Sequence, residues 1–456
     1  MVKKAKTTIT SFKYIKMRIL IKQFIVAIIL TLNQVSFAQT KENNQLNSMN
    51  QMNDVVVKNV SVITMKTDEV LKNQDVIIKN GKIISISETK NSNHKNMSVI
   101  NATGKYMVPT LADAHVHFPE NEAEMDRLMQ LNLINGVTKL RSMRGDWKHL
   151  EWRKKYNTVT SIYPKLYLSA PAISSKFSFT DEQLIDYINK SKDFDFVKIL
   201  SIKDEALFAK FDSLCKLNNI KIAGHFPSNI SDNLIFNSNY SSFEHLGGLT
   251  TDEKVLENRL SLIREKRITV CPTLSWYSIG SGRYTYDQLK NLPGMEFVSK
   301  TIVDDWIEKT KQYRKKMGNE AYTQEVIAEL EKLDHKYEII KRLNESGVKM
   351  LLSPDSSSKY MVSGFGMVGE MELLKNAELS NYEILKMATI NFSEFFNEDY
   401  GTIEIGKEAD FILLNNNPLE DLNTLKKIEG LYFNNQFLDY KKLETIGKYL
   451  LETSQN

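Results

Sequence analysis

From Val55 onward the apolar positions fall in short β-branched runs, "VVVKNVSVITM", "DVIIKNGKIISISE" and "MSVINATGKYM", separated by polar turns. Runs of this length, rich in Val and Ile, predict strands rather than helices. Asn80–Gly81 divides the second of these runs, and Asn-Gly is the strongest short hairpin signal because both residues accept positive φ. An antiparallel β module is therefore expected over residues 54–107.

After Met107 the rhythm changes. Apolar runs recur at "TLADAHVHF", "GVTKLRSM", "PKLYLSAPAI", "FDFVKILSI", "NIKIAGHFP", "YSSFEHLGG", "ITVCPTLSW" and "GVKMLLSPDSS". Between most of them lie stretches with 3.6-residue spacing, such as "DEALFAKFDSLCKLN". Eight strand-like runs alternating with helices predict an α/β fold, a (β/α)8 TIM barrel over 108–397. The helical region 284–345 exceeds what a connection needs and is expected to cover the barrel mouth. Beyond Glu398 the β texture returns in "YGTIEIGKEADFILLNN" and "IEGLYFNNQFLDY". Residues 54–107 and 398–450 are accordingly expected to form one small composite β-sandwich from both ends of the mature chain.

The N-terminus reads differently. "FIVAIILTL", residues 24–32, follows Lys22 and is too short to span a bilayer. Ser36 and Ala38 stand where a cleavage signal requires small residues, so residues 1–38 read as a secretory signal peptide and 39–53 as a disordered linker. Met17, followed by "RILIK", makes a more typical start than Met1. The mature protein is expected to be exported, periplasmic or extracellular, with no stable membrane anchor after cleavage.

Composition narrows the function classes. The 456-residue chain is 42% hydrophobic and 25% charged, ordinary for a globular protein, and its net charge of +4 gives no footprint for nucleic acid. Cys215 and Cys271 sit in apolar contexts and read as buried free thiols, too few for a thiolate metal site. The expected partners are a small-molecule substrate and, in a homo-oligomer, further copies of the chain.

The candidate chemistry lies at the ends of the strand-like runs. His115 and His117 are two apart on one strand, so they share a face. His225, His245 and Asp355 end later runs, and Lys198 lies within "DFDFVKIL". Barrel active sites are built at the C-terminal ends of strands. A lysine inside an apolar strand is costly unless partnered or neutral. A neutral amine can take up carbon dioxide as a carbamate, which would serve as a carboxylate-like bridge between metal ions.

This ordered set, His-x-His, Lys, His, His and Asp on a barrel flanked by a split β module, resembles the amidohydrolase superfamily. It is similar in particular to the binuclear imidazolonepropionase-like and prolidase-like branch. The blocks "INATGKYMVPTLADAHVHF", "GVKMLLSPD" and "GTIEIGKEADFILLNNNPLEDL" carry the likeness in order. The resemblance implies that His115, His117 and Asp355 bind one divalent metal, and that His225 and His245 bind a second. A carboxylated Lys198 would bridge the two, with Zn²⁺ the expected ion. Asp355 would also be the catalytic base. The implied activity is hydrolysis of an amide C–N bond in a dipeptide or cyclic amide. Alternatives are a lactone, ester or phosphoester at the same site, or metal binding without catalysis; deamination is expected less, since that branch usually uses one metal. Arg141, Phe226, Trp276 and Ser356, near strand ends, are candidate substrate contacts, a cationic Arg141 suiting a carboxylate. The chain departs from the family pattern at Ser353-Pro354-Asp355, Arg141-Ser142 and Val368.

Overall fold

A computed structural model describes residues 54–90, 96–176 and 178–454. The expected signal peptide and linker lie outside these residues. Five strands open the described chain: β1 (Asp54–Ile63), β2 (Val70–Lys79), β3 (Lys82–Glu88), β4 (Ser98–Asn101) and β5 (Tyr106–Pro109). The alternating part carries β6 (Leu111–Val116), β7 (Val137–Ser142), β8 (Lys165–Tyr167), β9 (Ser169–Ile173), β10 (Phe196–Ile199), β11 (Lys221–His225), β12 (Tyr240–Glu244) and β13 (Thr269–Cys271). Three more follow: β14 (Phe411–Leu414), β15 (Gly430–Phe433) and β16 (Gln436–Asp439).

The β2–β3 hairpin turns at Asn80 and Gly81, whose φ values of 47° and 76° are those a tight two-residue turn demands. The chain ends meet where β14 runs antiparallel to β5, placing Phe411 opposite Pro109 and Leu414 opposite Tyr106. The result is one eight-stranded sheet in the order β16-β15-β14-β5-β1-β2-β3, with β4 also on β1. The ten-residue β1 pairs with β2 and also with both β4 and β5, so these eight strands are hydrogen-bonded in one sheet. Val55, Val57, Val60, Val62, Phe411 and Tyr432 pack its core.

The C-terminal boundary also differs from expectation. Residues 440–450 belong to a helix, Tyr440–Ser454, whose buried Leu443, Ile446 and Leu450 follow helical spacing. It packs on the helix Glu122–Ile134, where Arg127 Nη1 donates to Thr453 Oγ1 at 2.9 Å.

In the alternating part every strand pair is parallel, in the orders β6-β7-β8 and β9-β10-β11-β12-β13. The run "PKLYLSAPAI" divides at Leu168, so β8 pairs with β7 and β9 with β10. The run ending at Asp355 is not a regular strand. It bridges Val270 through Met350 and Val116 through Ser356, with Ala114 N donating to Leu352 O at 3.1 Å. Pro354 lacks a donor, and Asp355 is left-handed with φ 69°, which breaks the ladder. The long insertion holds the helices Tyr286–Lys290, Lys300–Met317 and Asn319–Glu345. Thr310 shares a hydrogen bond with the Tyr360 hydroxyl at 2.8 Å, so the insertion packs on the loop that follows Asp355. No described helix is long and apolar enough to cross a membrane.

A buried ion pair ties the two parts together. Lys139 on β7 donates to Asp410, just before β14, and lies 4.2 Å over the Tyr400 ring. Breaking such a pair leaves one buried charge uncompensated, so Asp410→Ala is expected to cost about 3–5 kcal/mol. The double change Lys139→Met/Asp410→Leu should recover most of that loss; urea unfolding midpoints check both.

Candidate metal centre

β6 delivers the first pair of imidazoles. His115 is fully buried; its Nδ1–H donates to Glu244 Oε2 at 2.9 Å. Its Nε2 therefore faces inward, 3.5 Å from Asp355 Oδ1 and 3.5 Å from Lys198 Nζ. His117 Nε2 lies 3.3 Å from the same Asp355 oxygen. The His245 ring sits 5.0 Å from that of His115 and 5.0 Å from that of His225, measured between centroids. Thr273 directs its hydroxyl proton to Pro272 O, so it accepts from His245 Nδ1–H and leaves Nε2 free. The six residues singled out from the strand ends thus form one cluster.

Three of the residues that build the cluster are left-handed without being glycine: His245 at φ 63°, Thr273 at 54° and Asp355 at 69°. Such backbone costs energy and persists only where surrounding contacts fix it. At β12 it also breaks the alternation of a strand, so that Glu244 and His245, adjacent in sequence, both reach the cluster.

Burial sets the protonation states. It pushes His117 and His225 down to about 4, and His115 and His245 well below their ordinary value, so all four are neutral near pH 7. Burial lowers the Lys198 amine to about 8 and raises Asp355 to about 7. Asp355 Oδ1 is buried without a hydrogen-bond partner, aimed at the lone-pair nitrogens of two imidazoles. A divalent cation between these converging acceptors would satisfy all of them at once. His115, His117 and Asp355 bring their ligand atoms within 4.8 Å of one another, and this donor set suits Zn²⁺ or a similar divalent ion.

Of the four candidate substrate contacts, three are buried in the protein's own packing. Arg141 is fully buried one layer below the cluster, because β7 continues to Ser142 before turning; its guanidinium bonds Glu244, Ser242 and Ala114 O. Ser356 is buried too, donating to Asp113 Oδ2 at 2.9 Å. Phe226 packs against Phe236, Phe243 and the Arg259 guanidinium. Trp276 alone presents surface, 49% exposed with its ring 6.2 Å from that of His245.

Supporting residues not anticipated from sequence are Glu244, Thr273, Asp113 and Arg144. Asp113 accepts from His115 N at 3.2 Å and from Ser353 Oγ, which in turn accepts from Asp355 N at 3.1 Å. Its signal was present, since Asp113 and His115 are two apart on one strand. Arg144 is an exposed guanidinium whose charge disfavours protonation of His117: Met143 N pairs with Val116 O, and Arg144 Nη2 is 3.5 Å from the exposed Glu120. Gly145 holds this turn against β9, where a Cβ would fall 2.2 Å from Ala170 O.

The profile of the Amidohydrolase family matches residues 200–436. An adenine deaminase of Clostridium botulinum (strain ATCC 19397 / Type A) is 38% identical over 64 residues, 14% of this chain and 11% of that protein. The chain thus matches only a small part of such curated relatives. Among solved structures, bottromycin amidohydrolase superposes with a TM-score of 0.71 at 19% identity, covering 90% of this chain and 92% of that one. A Xaa-Pro dipeptidase with methionine bound in its active site superposes at 0.63 and 15% identity, covering 85% and 100%. The chain belongs to the amidohydrolase family.

Proposed function

We propose that the protein is an exported metal-dependent hydrolase that cleaves the amide C–N bond of a small substrate of the dipeptide or cyclic amide class. The observation that carries this reading is the buried, unpartnered Asp355 Oδ1 facing two neutral imidazoles, with Lys198 and two more histidines alongside. In this reading the parallel strands and the 350–356 segment close into a (β/α)8 barrel, supported by the bridges to Val270 and Val116. Export rests on the pattern of residues 1–38.

The residues would hold two divalent ions, one on His115, His117 and Asp355, the other on His225 and His245, with Lys198 between them as a carbamate. The neutral Lys198 amine adds carbon dioxide and releases one proton, leaving an anionic bridge. When bound, the ions supply Lewis-acid activation of water and of the scissile carbonyl. Asp355 takes the proton of the attacking water at its carboxylate and delivers it to the leaving nitrogen. Trp276 offers an apolar wall on the His245 side, and Arg144 a cation on the His117 side. Replacing Arg144 with Met is expected to raise KM for carboxylate-bearing substrates about tenfold while leaving metal content unchanged. Equal kinetics in the variant would remove Arg144 from the site.

A second reading, hydrolytic deamination, is favoured by the adenine deaminase likeness. Both readings meet in one assay. Protein loaded with zinc and bicarbonate is given dipeptides, cyclic amides, lactones and adenine, with a chelator control. Chelator-sensitive amide cleavage supports the proposal, and ammonia release from adenine replaces it with the second reading. Lactone turnover alone moves the scissile bond to an ester, and no turnover with metal bound overturns catalysis.

A further inference from the structure

Beneath the histidines lies a buried ion pair that the proposed reaction does not use. Glu244, at the end of β12, and Arg141, on β7, are both inaccessible to solvent. The two Glu244 oxygens are divided between partners. Oε1 accepts from Arg141 Nη1 at 2.8 Å and from Ser242 Oγ at 2.7 Å, while Oε2 accepts from His115 Nδ1–H at 2.9 Å.

Arg141 is itself fixed. Its Nη2 donates to Ser242 Oγ at 2.6 Å and its Nη1 to Ala114 O at 3.2 Å. The guanidinium lies over the rings of Phe196 and Phe395, at 4.5 and 5.1 Å. Three strands, β6, β7 and β12, are therefore tied at the level of His115. A buried pair of this kind pays desolvation for both charges and is often no more stable than an apolar pair of equal volume. Stability alone is thus a poor account of it.

Glu244 could instead be a ligand, since its carboxylate, His115 and Cys271 also bring ligand atoms within 4.8 Å of one another. The geometry argues otherwise. The guanidinium on Oε1 would repel a divalent ion, and Oε2 already holds the Nδ1 proton. That proton decides which nitrogen His115 presents: with Nδ1 occupied, Nε2 carries the lone pair toward Asp355 and Lys198.

We propose that Glu244, held in place by Arg141, is the positioning residue that fixes the tautomer and ring orientation of His115 for metal binding. The inference rests on the metal reading above, and the test separates the two. Metal-free full-length protein is titrated with zinc against a competing chelator, as wild type and as the double variant Glu244→Gln/Arg141→Met, which leaves no lone buried charge. One of the two zinc ions should bind 10–100-fold more weakly in the variant, the other within about threefold of wild type. Nitrogen NMR of metal-free wild type should show His115 as the Nδ1–H tautomer only, and the variant a mixture.

A folded variant that binds both ions as wild type does overturns the positioning role. So does an Nε2–H His115 in wild type, a result that needs no variant to fold. Wild type that binds no zinc overturns the metal reading and this inference together, whereas two ions held unchanged in the variant overturn only this inference.

Discussion

Lys198→Ala is expected to lower bound metal from about two ions per chain to one or none and to reduce turnover at least about a thousandfold, several kcal/mol of barrier. The reason lies in what the side chain displaces. Lys198 is buried on β10, its Nζ 3.5 Å from His115 Nε2, and among the described residues no carboxylate accepts a hydrogen bond from it. As a plain ammonium it would add positive charge beside four imidazoles that, in the proposed reading, attract cations. As a carbamate it reverses that sign. Alanine would remove the proposed bridge without adding a clash, so the variant should fold, and metal-free stability should hold or rise because a costly buried amine is gone. Elemental mass spectrometry beside steady-state kinetics decides the matter. Two ions retained with normal turnover would make Lys198 a structural residue.

Asp355→Asn is expected to lower kcat by about 10²–10⁴-fold, the range of a lost general base. The substitution keeps shape and removes charge and proton acceptor together. In the metal-free protein, burial raises Asp355 to about 7, because the carboxylate must be desolvated. A cation beside Oδ1 favours the ionised form and draws that value down. The base must be ionised to work, so wild-type kcat should fall on the acid side of pH 7 as the carboxylate protonates. That limb should vanish in Asp355→Asn, leaving a flat, low rate. An acid limb that persists at the same pH in the variant would assign the titration, and the base, to another group.

How far these features were legible in the sequence depends on which rule governed each residue. Strand alternation placed His115 and His117 on one face, and the cost of a buried amine singled out Lys198. The same alternation hid Glu244: a residue directly before a strand-end histidine should face away from it. Only the left-handed His245, φ 63°, turns both inward, and a histidine gives no local sign of that conformation. Arg141 was misplaced by one layer, because no residue in "GVTKLRSM" marks where β7 stops and its turn begins. Arg144, past that end, is the exposed cation. At the C-terminus, Leu443, Ile446 and Leu450 carried a helical period that the neighbouring β texture overshadowed.

The pairing of β5 with β14 joins segments roughly 300 residues apart, and the order of synthesis gives that distance a cost. On the ribosome, β1 to β5 emerge first, and β14 follows on the order of tens of seconds later. Throughout that interval the edge of β5 carries unpaired backbone groups beside Met107 and Val108, both fully buried once the sheet is complete. An open apolar edge is a template for pairing with another chain. A chain stopped before Phe411 never covers that edge, so truncated products should aggregate or stay bound to holding chaperones even if every residue of the metal centre has been made.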